Sequence, residues 1–446
     1  MKYGLITGFR YPFANYGDFV QTMAIEYIYK LMAIPSENIH KISMDELSTY
    51  HGEKLLLPFN TFYTLIVESG GGMPKLSDDI EPIFLGVTLS DNSYRQYLQG
   101  NKLKESIDFF KKYEPVGCRD EYTRRLLTDN GVDAYLQGCI TCVLPKRQIE
   151  PTETKSLLID CPIEFLTFLP DEIKSNCEIL ANSFYVGNIT QEEAYQKAKK
   201  HYEYISKTAG LIITSRYHIS SPCYAMGIPV VFTKRVYDLH NSDVRLDTLN
   251  PFIKIYEKNN YSEICWDLKV EEFEFVKKII IKIAMDRING RALDMECVKI
   301  IEDFYKKRIE SFYEENQDNS INYYRDTLQS FVKKYYLGKV KGSFWIWGAK
   351  PSACFNGRVN NAEYIWSENP NLTFNGWIDT YKKGTLGGYK IISPDEIDLS
   401  ENEFIVITSE NGLVSILEKI ENMGLSKNQY IICCNQHITK EDLKRV

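Results

Sequence analysis

Three times along the chain, short apolar runs alternate with amphipathic segments of helical period, and this repetition restricts the fold more than any other feature. The first series opens with "KYGLITG", a strand-like run closed by Gly, followed by "GDFVQTMAIEYIYKLM", in which Phe19, Met23, Tyr27 and Leu31 recur at helical spacing. "FYTLIVESGGG" and "EPIFLGVTL" are further strand-like runs; helix "NKLKESIDFFKKY", strand "PVGCRD", helix "EYTRRLLTDNG" and strand "VDAYLQGCITCVL" complete the series. After the polar stretch "PKRQIEPTETK" the pattern restarts with strands "SLLIDCP", "CEILANSF", "GLIITSR" and "IPVVFTK", the later ones separated by helices "TQEEAYQKAKKHYEYISKTA" and "ISSPCYAMG". From about Val270 to Leu337 charged helical segments read as packing and connecting helices. A third restart at "SFWIWGAK" has strands "FNGWID", "YKIIS", "EFIVITS" and "QYIICC" and helix "LVSILEKIENMG". Alternation of this kind predicts parallel, doubly wound sheets. The expected organisation is therefore α/β, with Rossmann-like domains over 1–150 and 151–270, a helical connector over 271–340 and a smaller Rossmann-like domain over 341–446.

The 446 residues suit two or three domains at roughly 100–200 residues each. A net charge of −7 without a compensating run of Lys and Arg gives no long-range attraction to nucleic acid. The N-terminus is too short and too interrupted for a signal peptide, and no apolar run approaches the ~18 residues that span a bilayer. Eleven cysteines are scattered through strand-like and helix-like runs. The one CxxC, Cys139 to Cys142, lacks a second pair to complete a zinc site, and "CITCVLP" reads as a strand rather than a helix opening, so buried thiols are expected. Reduced cytoplasm follows as the expected compartment. The 31 Tyr and 22 Phe are read as core packing ahead of a sugar-stacking surface.

In α/β sheets, ligands sit beyond the carboxyl ends of the strands. That rule singles out "ITSRYHISSP" first. Arg216 offers a planar fork for carboxylate or phosphate, the helical amides from His218 onward face an anion, and Ser220 and Ser221 extend the same nest. An imidazole exchanges protons near neutral pH. The structural alternative is an Arg216 paired with a carboxylate and a His218 that caps the helix. "ANYGDFVQTMA" is the second candidate: Asn15 and Gly17 suit a tight turn, and Asp18 reads as an N-cap or a cleft residue. The glycines Gly70, Gly71 and Gly72 permit close backbone approach but lack nucleotide-phosphate spacing. Arg119 stands at a strand end with Asp120 as helix cap, and Lys234, Arg235, His240 and Arg245 form a cationic rim whose ordinary reading is a solvated loop.

Together these residues resemble the polysaccharide pyruvyltransferase family over roughly residues 1–260. The resemblance is carried by "NYGDFVQTMA", "VESGGG", "PVGCRDEYTRRLLTDNGVDAYLQGCITCVLP" and "LIITSRYHISSPCYAMGIPVVF". It implies two facing Rossmann-like domains, as in many nucleotide-sugar glycosyltransferases of GT-B-like architecture. It further implies transfer of pyruvate from phosphoenolpyruvate to a sugar of a cell-surface polysaccharide, such as a capsule or exopolysaccharide, or its lipid-linked or nucleotide-linked precursor, as a cyclic ketal. His218 falls on the general-acid position, Arg216 on the anion-binding one, and Arg119 is drawn into the cleft; by their own places in the loops, Asn15, Asp18, Gly71, Gly72, Ser220, Lys234 and Arg235 are the further candidate substrate contacts. No metal or cofactor is needed beyond phosphoenolpyruvate as co-substrate, and the resemblance leaves a homo-oligomer and contact with the inner membrane face open.

The C-terminal domain lies outside this resemblance. "FWIWGAKPSACFNG" has Lys350 at the second glycine position of a dinucleotide fingerprint and Pro351 after it, which argues against close pyrophosphate approach. Asp379, at the end of the second strand there, is the position that would meet a ribose or base of a nucleotide sugar; docking or dimerisation is the other reading. Two rivals to pyruvyl transfer stand: a nucleotide-sugar glycosyltransferase of the same architecture, and a catalytically silent member that binds sugar.

Overall fold

The structure, a computed structural model, describes residues 2–8, 13–60, 76–89, 100–185, 189–234, 246, 248–249, 251–271, 274–315, 341–349, 371–409, 413–426 and 429–432. It divides into two compact units: residues 1–159, 175–234 and 238–318 form one, and residues 160–174, 235–237 and 319–446 the other.

The first unit begins with β1 (Lys2–Gly8), β2 (Phe13–Asn15), α1 (Tyr16–Leu31), β3 (Ile39–Ser43), β4 (Leu55–Phe59), β5 (Ile80–Val87), α2 (Gly100–Lys112), β6 (Val116–Cys118), α3 (Glu121–Asp129) and β7 (Ala134–Leu136). The pairs are all parallel and the spatial order is β3-β1-β4-β5-β6-β7. Period-2 alternation sends successive side chains to opposite faces. Leu5, Leu56, Ile83 and Leu85 enter one core and Ile6, Leu55, Leu57 and Phe84 the other.

The chain continues through β8 (Lys155–Ile159), α4 (Asp171–Ser175), β9 (Cys177–Leu180), β10 (Ser183–Tyr185), α5 (Gln191–Thr208), β11 (Ala209–Thr214), α6 (Tyr217–Ala225), β12 (Val230–Thr233) and β13 (Ile255–Tyr256). This second parallel sheet has the order β13-β12-β11-β8-β9. In both sheets the first strand in sequence lies between the second and the third, so each has a topological switch point at its first strand, where crevices form.

The two sheets share one hydrophobic core, which joins α1 residues Phe19, Val20 and Ile28 to Leu157, Ile212 and Phe232 of the second sheet. They are also stitched by the antiparallel pair β2–β10. Helices α7 (Glu274–Ile288) and α8 (Met295–Glu315) pack on this core through Ile280, Ile283, Ile301 and Tyr305. The Glu302 carboxylate accepts the Leu136 amide at 3.0 Å, which ties α8 to the end of β7. Gly138 has φ +81°, and a β-carbon there would lie 2.1 Å from the Tyr305 hydroxyl. Only glycine fits that approach.

The second unit holds β14 (Gly342–Trp347), β15 (Leu372–Ile378), β16 (Gly384–Leu386), β17 (Tyr389–Ile392), β18 (Glu403–Ile407), α9 (Leu413–Asn422) and β19 (Tyr430–Ile432). Its sheet is parallel except for β16, with the order β16-β17-β15-β14-β18-β19. The mixed α/β class with parallel sheets is what the sequence pattern implies.

One expected strand is different. "VDAYLQGCITCVL" forms β7 only over Ala134–Leu136, and Ile140–Val143 is a 3₁₀ turn. Gly138, at positive φ, ends the extended run, and Cys139, Thr141 and Cys142 turn inward against α6. Burial pushes the Cys142 and Cys223 thiols upward, so they stay protonated, as structural thiols do.

Candidate active site

α1 starts at the carboxyl end of β1, at the first sheet's switch point. Its N-cap is Asn15, whose Oδ1 accepts the Gly17 amide at 2.7 Å. This corrects the reading of Asp18 as the cap: Asp18 lies in the first turn, and Asn15 already satisfies the orphan amide. The Asn15 oxygen also accepts Nδ2 of Asn182 at 3.0 Å, and the Asn182 carbonyl takes the Tyr16 amide at 3.0 Å. The loop after β9 therefore helps to fix the start of α1.

Opposite it, α6 begins after β11, with Arg216 at the N-cap position and no side-chain cap. Gly17 faces this helix closely. A β-carbon on Gly17 would stand 2.8 Å from Cβ of His218 and 3.0 Å from Asn15 Oδ1. His218 is 8% exposed, and its carbonyl accepts the Tyr202 hydroxyl of α5 at 2.7 Å. Ser220 turns back to donate to the Arg216 carbonyl at 2.9 Å, and Ser221 joins Thr141 at 2.6 Å beneath the helix. Both hydroxyls thus serve the helix and its support in this structure.

Arg119 follows β6 and is 1% exposed. Its guanidinium donates to Gly86 O at 3.2 Å, to Asn60 O at 2.5 Å and to Gln21 Oε1 at 2.8 Å. It thereby fastens the ends of β4 and β5 to α1. The guanidinium carbon lies 5.8 Å from the Tyr217 ring centre, which is 5.5 Å from the His218 imidazole. Asp120 caps α3 through the Thr123 amide at 2.9 Å, as the sequence suggests.

Asp18 is half-buried between these groups. Burial raises its carboxyl to about 7, even though the charges of Arg119 and Arg216 pull it down. Desolvation of the charged form is the larger effect. Arg216, His218, Asp18, Asn15 and Arg119 are thus brought together at the meeting of two helix N-termini.

Lys234 follows β12 and pairs with Glu257 at 2.8 Å, an internal partner that the cationic-rim reading lacked. Gly71, Gly72 and Arg235, with Gly70, His240, Arg245, Lys350 and Pro351, lie outside the described residues. In the second unit Asp379 accepts the amides of Ala349 at 3.1 Å, Tyr381 at 2.9 Å and Lys382 at 3.0 Å, so its carboxylate organises the loops after β14 and β15. Among the described residues no group of three or more His, Cys, Asp or Glu is placed to hold a metal ion, and no helix is long and apolar enough to cross a membrane.

Residues 15–234 match the family model described as polysaccharide pyruvyl transferase. Over these residues, just under half of its length, the chain is similar to that family. The matched span begins at the α1 cap and ends at Lys234, so it encloses every described residue of the cluster.

No curated protein matches the chain. Solved structures resemble it weakly. An uncharacterized protein from Klebsiella pneumoniae subsp. pneumoniae is 14% identical, with TM-score 0.32, covering 55% of this chain and 87% of that one. The wall teichoic acid polymerase TagF is 11% identical, with TM-score 0.30, covering 70% and 89%. The α,α-trehalose 6-phosphate synthase of Burkholderia multivorans is 11% identical, with TM-score 0.25, covering 72% and 76%. At these scores the likeness carries no argument, and the fold rests on the strand orders above.

Sequence reasoning missed Gln21, Asn60, Asn182 and Tyr202. Gln21 lies one helical turn after Gly17, and its Nε2 reaches back to the Gly17 carbonyl at 3.4 Å, so helical spacing was a usable signal. Asn60 follows β4 directly, yet "LLLPF" is uniformly apolar and contains Pro58, so it carries no strand alternation.

Proposed function

We propose that the chain transfers the pyruvyl group of phosphoenolpyruvate to two hydroxyls of a sugar, forming a ketal. The supporting observation is the cluster itself, in which a titratable imidazole and an arginine at one helix N-terminus meet a carboxyl at another. Phosphoenolpyruvate carries a carboxylate and a phosphate, which suit a guanidinium fork and helix amides. Arg216 is the direct anion contact in this reading. Arg119, buried and bonded to three protein acceptors, holds the loops and adds positive potential.

In the first step the His218 imidazolium gives its proton to the methylene carbon, leaving a cation-like C2. A sugar hydroxyl oxygen bonds to C2, and the C2–O bond to phosphate then breaks with the electron pair leaving on phosphate. The second hydroxyl closes the ketal. Positive charge and helix amides stabilise the departing phosphate. The acceptor is a sugar of a polysaccharide or of its lipid-linked or nucleotide-linked precursor.

Phosphate release from phosphoenolpyruvate, measured with candidate acceptors against nucleotide release from nucleotide sugars, tests the reading. Phosphate release is expected; nucleotide release alone would favour a glycosyltransferase. His218→Ala should retain phosphoenolpyruvate affinity and lose roughly 10²–10⁴ in turnover, the usual contribution of a positioned acid or base. Arg216→Lys should weaken affinity first, because an ammonium cannot reproduce the two-pronged contact.

A further inference from the structure

Ketal formation strips two protons from the acceptor hydroxyls. One ends on the new methyl carbon and the other on the departing phosphate. His218 delivers the proton to carbon, so a second group must take a hydroxyl proton as the C–O bond forms. We propose that Asp18 is the catalytic base that removes the proton from the attacking acceptor hydroxyl.

The geometry favours this residue in three ways. Asn15 relieves Asp18 of capping, and among the described residues the Asp18 carboxylate makes neither a hydrogen bond nor an ion pair within 4 Å. The residue as a whole is half-buried rather than enclosed. Its neighbour Gly17 packs on Cβ of His218, so Asp18 and His218 stand on the facing first turns of α1 and α6. The groups that act on it from the surrounding elements are Arg119 after β6, Arg216 before α6 and the Tyr202 hydroxyl of α5, and His218 is the residue packed on the adjoining Gly17. Burial outweighs both guanidinium charges, and a carboxyl at about 7 is a base matched to neutral pH.

Proton balance closes with this pair. Asp18 takes the proton of the first hydroxyl as its oxygen bonds to C2, while His218 has given its own to C3. The proton held on Asp18 passes to the leaving phosphate oxygen as the C2–O bond breaks. The proton of the second hydroxyl reloads His218, and Asp18 is again ionised at the end of the cycle.

This inference rests on the pyruvyl-transfer reading, and the test separates the two. Wild-type enzyme, phosphoenolpyruvate and a productive acceptor are assayed for phosphate release between pH 5 and 9 alongside Asp18→Asn and Asp18→Ala. Asp18→Asn should keep or tighten phosphoenolpyruvate affinity, since a negative charge leaves the anion site, while kcat falls by roughly 10²–10⁴. The limb of the kcat profile that rises with pH toward 7 should vanish. Formate, a small carboxylate, should restore part of the turnover of Asp18→Ala. A residue that merely balanced the arginines would change affinity but show neither the kcat loss, the vanished pH limb nor the formate rescue, and an Asp18→Asn enzyme with near-normal kcat overturns the assignment while the pyruvyl reading stands. A wild-type enzyme that releases no phosphate with any acceptor overturns both.

Discussion

Gly17→Ala isolates the contact on which the site depends. A methyl group there would lie 2.8 Å from Cβ of His218 and 3.0 Å from Asn15 Oδ1. Carbon atoms pack comfortably at about 3.5–4.0 Å, so α1 and the start of α6 would have to separate by roughly 0.7 Å. A β-carbon cannot swing aside as a long side-chain tip could. Neither neighbour is loosely held, because Tyr202 fixes the His218 carbonyl and Asn182 fixes Asn15. Overpacking of this kind costs about 1–3 kcal/mol. In the first turn of a helix with ordinary backbone angles, Gly→Ala would otherwise stabilise by roughly 0.4–1 kcal/mol, so the sign of the effect is decisive. Urea denaturation should show a lower midpoint with unchanged slope. Turnover should fall by up to ~10², because displacements approaching 1 Å disturb proton transfer that strongly. An Ala variant as stable as wild type, or more so, with unaltered turnover would refute the close approach of the two helices.

Asp18→Asn should change the pH dependence of stability in a defined direction. The folded carboxyl, at about 7, binds its proton more tightly than the unfolded one, so wild-type stability falls as pH rises from about 4 to 7 and then levels. At ~1.4 kcal/mol per unit, discounted for partial exposure, the Asn variant should gain about 2 kcal/mol on wild type between pH 4 and 8; a pH-independent difference in denaturation midpoints would contradict this. Tyr202→Phe removes the 2.7 Å bond to the His218 carbonyl and should cost about 1 kcal/mol together with turnover, read from the same two assays, whereas an unchanged midpoint would show the bond to be immaterial.

The alternation of apolar and amphipathic runs made the α/β class legible, because doubly wound sheets bury whole strands between helices, but it missed β3 and β4, which flank β1, and the run "FYTLIVESGGG" lies outside the described residues. Arg216 and His218 were legible for the same reason, standing where "LIIT" ends and a helix of small residues begins. The cap was not. Asn15 and Asp18 are equally good capping residues by type, and only the packing of Asn182 on Asn15 decides between them. Arg119 was visible as a strand-end cation, but its acceptors Gly86, Asn60 and Gln21 are brought to it from three separate elements by tertiary folding. The turn over Ile140–Val143 has strand-like composition, and the inward packing of its thiols against α6 overrides that propensity.

The β2–β10 pair has a bearing on how this protein can be taken apart or recombined. Phe13–Asn15 from the first sheet's connection pairs with Ser183–Tyr185 from the second, and α1 contributes to the core that serves both. A cut in the polar stretch between β7 and β8 would look natural on the sequence, yet it would leave each half with a greasy face and a lone ribbon strand. Chimeras that swap one half between relatives should therefore carry β2, α1 and β10 as a matched set. Fragments split at that point should regain structure only when both are present in the same tube.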